Sequence, residues 1–272
     1  MTSNAIKTPP TAPAGLRRLT SSPLAASVGW PSLAVVVFLL VWEGASRGDL
    51  VDETTVPPAS EVARAMWDLG RQSYFWTATR ITVQETLVGF VGGVVAAWIL
   101  GTLIGVSTRF RLAFYPLIVA FQIMPRIALA PLFLTWFGFG ITSKIVMAGT
   151  ICFFPVLIGV IVGMNTVDAD AKTLMRSLGA SRWETYRKLS LPSSLPVIFA
   201  GIKTAMTLAL IGAVVGEFVG ASEGMGVLVE TFNQQLQVAE GFAVILALSA
   251  VGLVLYAITE LAERKLIFWA GH

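Results

Sequence analysis

Long apolar runs alternate with short polar segments along most of this 272-residue chain. A helix that crosses the hydrocarbon core of a bilayer needs about 20 mainly apolar residues, and six segments approach that length. They cover residues 28–45, 86–106, 112–136, 145–167, 197–219 and 242–259. The pattern therefore predicts an all-α integral membrane protein with about six transmembrane helices.

The polar segments set the boundaries of the predicted domains. Residues 1–26 are rich in Pro, Ser, Thr and Ala and lack the apolar core of a signal peptide, so we expect a disordered tail. Residues 27–54 hold the first span and an outer loop, 55–265 the main domain with five further spans, and 266–272 a C-terminal tail. A short interfacial helix is expected early in the main domain, with Ser60 as its N-cap.

The basic residues indicate the orientation of the chain. Charged residues make up 13% of the sequence, against about 25% in soluble domains. Thirteen Lys and Arg lie on one side of the predicted spans and five on the other. Since cytoplasmic loops are enriched in these residues, both termini and a charged insert at 168–192 are expected in the cytoplasm. The pI of 9.2 then reflects topology, and no nucleic-acid partner is expected.

Several kinds of chemistry are excluded by composition. The chain has one cysteine, Cys152, and its single histidine is the last residue, His272. No G-x-x-x-x-G-K-[ST] phosphate loop occurs. We therefore expect no catalytic residues, no metal site and no cofactor bound by this chain.

The first half of the charged insert carries helix start and stop signals. Asp168 or Asp170 is suited to begin a helix, because its carboxylate accepts from free N–H groups and complements the helix dipole. Apolar residues recur over 171–178 at helical spacing. Gly179 follows, where a residue with positive φ commonly ends a helix.

The second half of the insert predicts another helix. Ser181 and Glu184 have the S-x-x-E spacing of a capping box, and Pro192 and Pro196 are expected to end the helix because each lacks an N–H. The result is a helix–glycine turn–helix on the cytoplasmic face, suited to present a rigid surface to a soluble partner. The alternative is an amphipathic loop that lies on the membrane surface.

The insert resembles a known signature. Gly179, nine further residues and then Leu189, Ser190, Leu191 and Pro192 resemble the G-x9-I-x-L-P motif of permease subunits of ATP-binding-cassette (ABC) importers. That family usually has Glu-Ala-Ala ahead of the glycine, where this chain has Thr-Leu-Met at 173–175. The stretches VPPASEV, PLFLTWFGFGITSKI, FFPVLIG and IGAVVGEFVGASEGMGVLV resemble the nitrate/taurine/alkanesulfonate branch, so the resemblance covers about residues 55–265.

The resemblance implies a transport subunit that is not itself an enzyme. The insert is then the coupling helix, which seats in a groove of a cytoplasmic ATPase dimer that holds ATP and Mg²⁺. Further implied partners are a second copy of the permease, an extracytoplasmic solute-binding protein and the lipid bilayer. The residues expected to couple to the ATPase are Leu174, Met175, Ser177, Leu178, Gly179, Ala180, Ser181, Arg182, Trp183, Glu184, Leu191 and Pro192.

Polar residues inside the predicted spans are candidates for the translocation pathway, because their burial in a bilayer is costly. Arg126 lies between Pro125 and Pro131, with Gln122 one turn earlier. In one interpretation Arg126 faces the substrate path and attracts an anion; in the other it pairs structurally, for instance with Glu217. Glu217 itself is a candidate for an outer gate or a contact with the solute-binding protein.

Three further charges lie near the ends of predicted spans. We expect Glu85 and Lys144 to be interfacial. Lys203 lies near the cytoplasmic end of the fifth span and is expected to extend its amine to the membrane surface.

The predicted cargo is a small solute. Arg126 favours an anion such as a sulfonate, taurine or nitrate. The alternatives are a heterocyclic vitamin precursor carried by the same kind of permease, and a self-sufficient secondary transporter, for which Glu217 is the one supporting carboxylate.

Overall fold

A computed structural model describes residues 23–48 and 55–269 of the chain. Within these ranges every regular element is helical, which confirms the predicted all-α class. The helices of 25 residues or more are α1 (Pro23–Arg47), α3 (Ser73–Val106), α6 (Ile141–Asn165), α9 (Leu191–Gly220) and α11 (Val238–Leu266).

Shorter helices connect the long ones. A 3₁₀ turn, Arg126–Leu129, lies between two of these shorter helices, and a π-helical segment, Tyr186–Ser190, leads into α9. These shorter helices are α2 (Ala59–Leu69), α4 (Thr108–Ile123), α5 (Ala130–Phe137), α7 (Ala169–Ser177), α8 (Arg182–Thr185) and α10 (Met225–Gln234).

In the described ranges, four helical stretches are long and apolar enough to cross a membrane, and five if the bent α4–α5 segment counts as one span. They contain the predicted second, fifth and sixth spans, and all of the predicted fourth span except its last two residues. The predicted first span lies within α1, which is not among these four. The four stretches are Ser73–Val106, Ile141–Asn165, Arg182–Gly220 and Val238–Leu266.

The predicted terminal segments are described in part. Residues 1–22 of the predicted tail lie outside the described residues, as do 49–54 of the outer loop and 270–272 of the C-terminal tail. Residues 23–26, predicted to lie in the tail, belong to α1.

The predicted third span, 112–136, is not one straight helix. Two helical pieces, Arg109–Ile123 and Arg126–Phe137, meet at an angle of 88°. Met124 and Pro125 between them have extended ψ angles of 133° and 91°. Proline has no N–H to donate and disfavours helical backbone in the residue before it, so the helix ends at this point. The segment is therefore a broken span or a re-entrant loop.

Glycines let the three central helices pack closely. A Cβ added to Gly89 of α3 would lie 2.6 Å from the Cβ of Ala148 in α6, and one added to Gly212 of α9 would lie 2.8 Å from the Cα of Ala148. Both distances are shorter than a van der Waals contact. Helices α3 and α9 therefore both approach α6 closely at Ala148, in the way that small residues permit within membranes.

Apolar clusters define the two ends of the bundle. Ile104 of α3, Met164 of α6 and Ile267 after α11 belong to one cluster, against which Tyr186 of the charged insert packs. The insert and the C-terminal end of α11 therefore lie at the same end of the molecule, as the charge count predicts. We call this the insert end. The other end, where α2 and α10 pack on the start of α11, is the opposite end.

Helix α2 begins differently from the prediction. Its N-cap is Pro58, and the expected cap Ser60 lies inside the first turn. The Ser60 N–H donates to Glu43 Oε2 at 3.0 Å and its hydroxyl donates to Glu43 Oε1 at 2.8 Å. The carboxylate of α1 thus satisfies the free N–H that a cap would have served, since anions stabilise helix N-termini.

Candidate functional site: the charged insert and the buried polar cluster

The first helix of the insert, α7, begins at a side-chain cap. Asp168 Oδ1 accepts from the N–H of Asp170 at 2.9 Å, so Asp168 is the N-cap and Asp170 lies in the first turn. The sequence left these two residues as alternatives. The structure assigns the capping role to Asp168.

Helix α7 ends in a Schellman turn at the predicted glycine. Gly179 has φ of +82°, the Ala180 N–H donates to the Met175 carbonyl at 3.0 Å, and the Gly179 N–H donates to the Arg176 carbonyl at 2.9 Å. These are the two hydrogen bonds of the motif. Because a side chain at this φ is strained, glycine fixes the sharp turn that separates the two helices.

The second helix of the insert begins with the predicted capping box. Ser181 Oγ accepts from the Glu184 N–H at 3.2 Å, and Glu184 Oε2 accepts from the Ser181 N–H at 3.0 Å. The start of α8 is therefore satisfied by its own side chains.

The predicted end of this helix at Pro192 is wrong. The chain continues through the π-helical segment, in which the Leu191 N–H donates to the Tyr186 carbonyl, and then through α9, with Pro192 in its first turn and Pro196 inside it. A five-residue hydrogen bond widens the helix there and accommodates a residue without an N–H. Residues Arg182–Gly220 therefore form one helical path about 58 Å long at 1.5 Å per residue.

The insert presents an exposed apolar surface, which we call the insert tip and define as Leu174, Leu178 and Trp183. Their relative exposures are 60%, 74% and 66%. The Trp183 ring stacks on Tyr186 with the centroids 5.4 Å apart, so its position is fixed. Large apolar side chains exposed on a rigid turn indicate a surface that another molecule or the membrane covers.

The remaining predicted coupling residues surround this tip. Those exposed are Ser177, Gly179, Ser181 and Arg182, and those half-buried are Met175, Ala180, Glu184, Leu191 and Pro192.

The predicted pathway residues are not brought together. Gln122 is exposed on α4, whereas Arg126 is half-buried at the bend between α4 and α5. Arg126 Nη1 donates to the Ile151 carbonyl at 3.3 Å, and its guanidinium lies 4.6 Å from the centre of the Phe154 ring. Among the described residues, no ion pair links Arg126 to Glu217.

Glu217 belongs instead to a buried polar cluster at the opposite end. Its Oε1 accepts from the Thr82 hydroxyl at 2.6 Å, and its Oε2 accepts from the Gly226 N–H at 2.5 Å. Thr82 Oγ1 in turn accepts from the Met225 N–H at 2.9 Å. These contacts join α3, α9 and the start of α10.

Lys144 and Glu85 also belong to this cluster, and the expectation that both are interfacial is wrong. Both side chains are almost fully buried, with relative exposures of 1% and 2%. Lys144 Nζ donates to the carbonyls of Phe139, Gly140 and Gly220, at 2.5, 3.1 and 2.9 Å. The amine thus joins the start of α6 to the end of α9.

The amine of Lys203 also differs from the prediction. It forms an ion pair with Glu263 of α11 at 2.6 Å rather than extending freely, and the two side chains are 24% and 10% exposed. This contact fastens α9 to α11 near the insert end.

Together these features connect α9 to three parts of the molecule. The helical path that continues into α9 begins at the insert tip, beside Trp183. Lys203 in α9 pairs with Glu263 of α11. Glu217, near the C-terminal end of α9, belongs to the polar cluster. Among the described residues no group of three or more His, Cys, Asp or Glu side chains is placed to hold a metal ion. The arrangement suits the transmission of a displacement along the molecule.

Comparison with known proteins identifies relatives over most of the chain. Residues 89–268 match the family model described as "Binding-protein-dependent transport system inner membrane component". A riboflavin transport system permease of Chloroflexus aurantiacus is 32% identical over 88% of this chain and 91% of its own length. A formylaminopyrimidine transport permease of Halalkalibacterium halodurans is 31% identical over 88% and 95%. A taurine transport system permease of Escherichia coli is 25% identical over 92% and 93%.

The fold is also similar to that of a solved structure. An inward-facing form of the MetNI methionine ABC transporter superposes on 79% of this chain and 99% of its own matched chain, with a TM-score of 0.58 and 17% sequence identity.

Proposed function

The chain belongs to the family of binding-protein-dependent transport system inner membrane components, and on that premise we propose that it forms the transmembrane pathway of an ATP-driven importer for a small solute. Its relatives are permease subunits. In this proposal a separate ATPase subunit holds ATP and Mg²⁺ and carries out hydrolysis. The permease acts as a homodimer in the inner membrane of a bacterium and receives its solute from an extracytoplasmic binding protein.

The exposed insert tip is the observation that carries this proposal. Three large apolar side chains are exposed on a turn that is fixed by a Schellman motif on one side and a capping box on the other. Covering a side chain such as Leu178 is worth about 1.5–3 kcal/mol. A groove on a cytoplasmic ATPase is the partner that the family supplies for such a surface.

Coupling then follows from the continuity of the helix. A displacement of the insert tip moves Arg182–Gly220 as one body, because Trp183 belongs to this helical path and the fixed turn at Gly179 joins the path to Leu174 and Leu178. The Lys203–Glu263 pair carries α11 along with it. Near the C-terminal end of α9 the movement displaces Glu217. The hydrogen bonds of Glu217 to Thr82 and Gly226 connect α9 to α3 and α10. We propose that these bonds rearrange when the pathway alternates between its two openings.

Reconstitution in liposomes tests the proposal. The chain is purified with its cognate ATPase and binding protein, and uptake of radiolabelled solute is measured with and without ATP. Uptake that requires ATP and all three components is expected. Uptake by the chain alone, independent of ATP, would instead support the secondary transporter.

For the substrate, a heterocycle of the kind found in vitamins and their precursors is favoured. Two relatives that are at least 31% identical are named for riboflavin and formylaminopyrimidine. The guanidinium of Arg126, which carried the preference for an anion, lies over the Phe154 ring and binds the Ile151 carbonyl.

A small anion is the second candidate, because Arg126 is half-buried at a break between two helices and an arginine has several N–H donors. Thermal-shift measurements on the cognate binding protein with riboflavin, formylaminopyrimidine, taurine and nitrate distinguish the two. Stabilisation by a heterocycle, together with little loss of uptake in Arg126→Gln, is expected. Stabilisation by taurine or nitrate, together with loss of uptake in that variant, would establish the anion.

A further inference from the structure

A small cavity opens beside the buried polar cluster. It has a volume of about 180 Å³ and lies between α3, the start of α6 and the loop after α9. Glu85 and Lys144 line it from the buried side, whereas Glu223 lines it from the exposed side. The cavity therefore has a carboxylate at its floor and a second carboxylate at its mouth.

Glu85 has a buried oxygen that is left without a hydrogen-bond partner. An ammonium has three N–H donors, and the donors of Lys144 are directed at three backbone carbonyls. Both oxygens of Glu217 accept hydrogen bonds. In the described part of the chain, Glu85 Oε2 is a buried side-chain oxygen that has no hydrogen-bond partner. Since a buried carboxylate oxygen without a partner is costly, this position is suited to a donor that enters the cavity.

The walls of the cavity indicate what kind of donor fits. Ile81, Ile141 and Phe139 supply apolar and aromatic surface around the two carboxylates. A hard metal ion takes several oxygen ligands, yet the carbonyls of Phe139 and Gly140 already bind Lys144. A cationic head on an apolar stem matches both the unpartnered Glu85 Oε2 and the walls, and an aromatic face adds cation–π attraction.

We infer that this cavity binds an organic cation, a primary ammonium or guanidinium group carried on an apolar stem, through Glu85. The cavity lies at the opposite end from the insert tip, since α9 separates them by about 45 Å. Its natural occupant is a lysine or arginine side chain of a protein that docks there, or a free organic cation of the same chemistry.

Binding of n-butylammonium, which has the structure of a lysine side chain, tests the inference. Thermal unfolding of the purified protein in detergent is followed as n-butylammonium chloride is added, with sodium chloride at equal ionic strength as the reference. A saturable rise in Tm is expected for the natural chain. Glu85→Gln removes the charge of the receiving group and should weaken binding about 30-fold or more.

Two more variants separate loss of the site from loss of the fold. Ala221→Leu fills the cavity from its wall and should abolish the shift without touching the carboxylates. Glu230→Gln changes an exposed carboxylate of α10 that bonds to Gln234, away from the cavity, and should keep the full shift. If Glu85→Gln fails to fold, the comparison of Ala221→Leu with Glu230→Gln still decides the question.

Two outcomes would overturn the inference. One is a Tm response that is the same in the natural chain, Glu85→Gln and Ala221→Leu. The other is a response to sodium chloride equal to that to n-butylammonium. A further arm distinguishes the sources of the cation. Saturating cognate binding protein displaces n-butylammonium if a side chain of that protein is the occupant, and leaves it bound if the occupant is a free cation. This last arm alone depends on the proposed function.

Discussion

Substitution of Gly179 tests whether a rigid turn in the insert is what couples ATP hydrolysis to transport. Gly179 has φ of +82° and no atom lies within 4 Å of where its Cβ would be. A side chain therefore meets open space, and its cost comes from the backbone alone. For an L-residue in this conformation that cost is about 1–2 kcal/mol, which lowers the population of the turn by about 5- to 30-fold.

Three variants separate the contributions. Asparagine tolerates positive φ best, so Gly179→Asn should retain most coupling. Gly179→Asp has a similar backbone preference but places a negative charge at the C-terminal end of α7. Repulsion from the helix dipole there destabilises the turn by about a further 0.3–1 kcal/mol. Gly179→Val is β-branched and should lose the most. Membrane insertion should be unchanged in all three, because the turn lies outside the apolar spans.

The assay compares two rates in liposomes that contain the permease with its ATPase and binding protein. One is ATP hydrolysis stimulated by loaded binding protein, and the other is solute uptake. The ratio of uptake to hydrolysis should fall in the order glycine, asparagine, aspartate, valine. A normal ratio in Gly179→Val would refute the reasoning, because the turn would then not need its conformation. If the ratio of uptake to hydrolysis falls equally in all three variants, a steric clash between the new side chain and the ATPase, rather than backbone strain, is responsible.

Three further predictions concern the insert tip and two side chains of α9, Glu217 and Lys203. Leu178→Ser should weaken binding of the ATPase by about 10- to 100-fold, measured by biolayer interferometry, and unchanged affinity would contradict a role for the tip. Glu217→Ala should lower the free energy of unfolding by about 3–5 kcal/mol because it leaves buried donors unpaired, whereas Glu217→Gln keeps an acceptor and should cost about 1 kcal/mol; equal losses in denaturant titrations would rule this out. Lys203→Met should cost about 1–2 kcal/mol, discounted for partial exposure. Adding Glu263→Leu should restore much of that stability, and a further loss in the double variant would show that the two do not act as a pair.

The insert was largely predictable because its signals are local. Asp168, Gly179 and the Ser181–Glu184 pair each act within four residues, so sequence spacing alone fixes their hydrogen bonds. Pro192 misled the prediction for the opposite reason. A proline ends an ordinary α-helix, but here a π-helical turn accommodates it, and nothing in the local pattern distinguishes the two cases.

The buried cluster at the other end of α9 was not predictable in this way. Thr82, Lys144 and Glu217 are far apart in the chain and meet because α3, α6 and α9 pack side by side. The position of a charge relative to the end of a span does not reveal whether it faces lipid headgroups or a neighbouring helix. One usable signal was present, since Glu85, Lys144 and Glu217 all fall on the same side of the predicted membrane. Charges at a common depth can satisfy one another, and membranes favour such pairing.

The bend in the third predicted span was predictable in its position but not in its angle. Pro125 marked the position of the break, since proline and the residue before it both disfavour helix continuation. The angle of 88° depends on how α5 packs against α6, which local sequence does not encode.

A photo-crosslinking measurement tests the central claim most directly. A photoreactive amino acid replaces Leu178, the most exposed residue of the insert tip, and crosslinks are formed in membranes of cells that express the complete transporter. The account predicts one dominant product, in which the permease is joined to a protein that contains a nucleotide-binding phosphate loop, and a lower yield when Gly179→Val is added. Crosslinking to lipid alone, with no ATPase captured, would contradict the account. It would support the alternative that the insert is an amphipathic loop on the membrane surface.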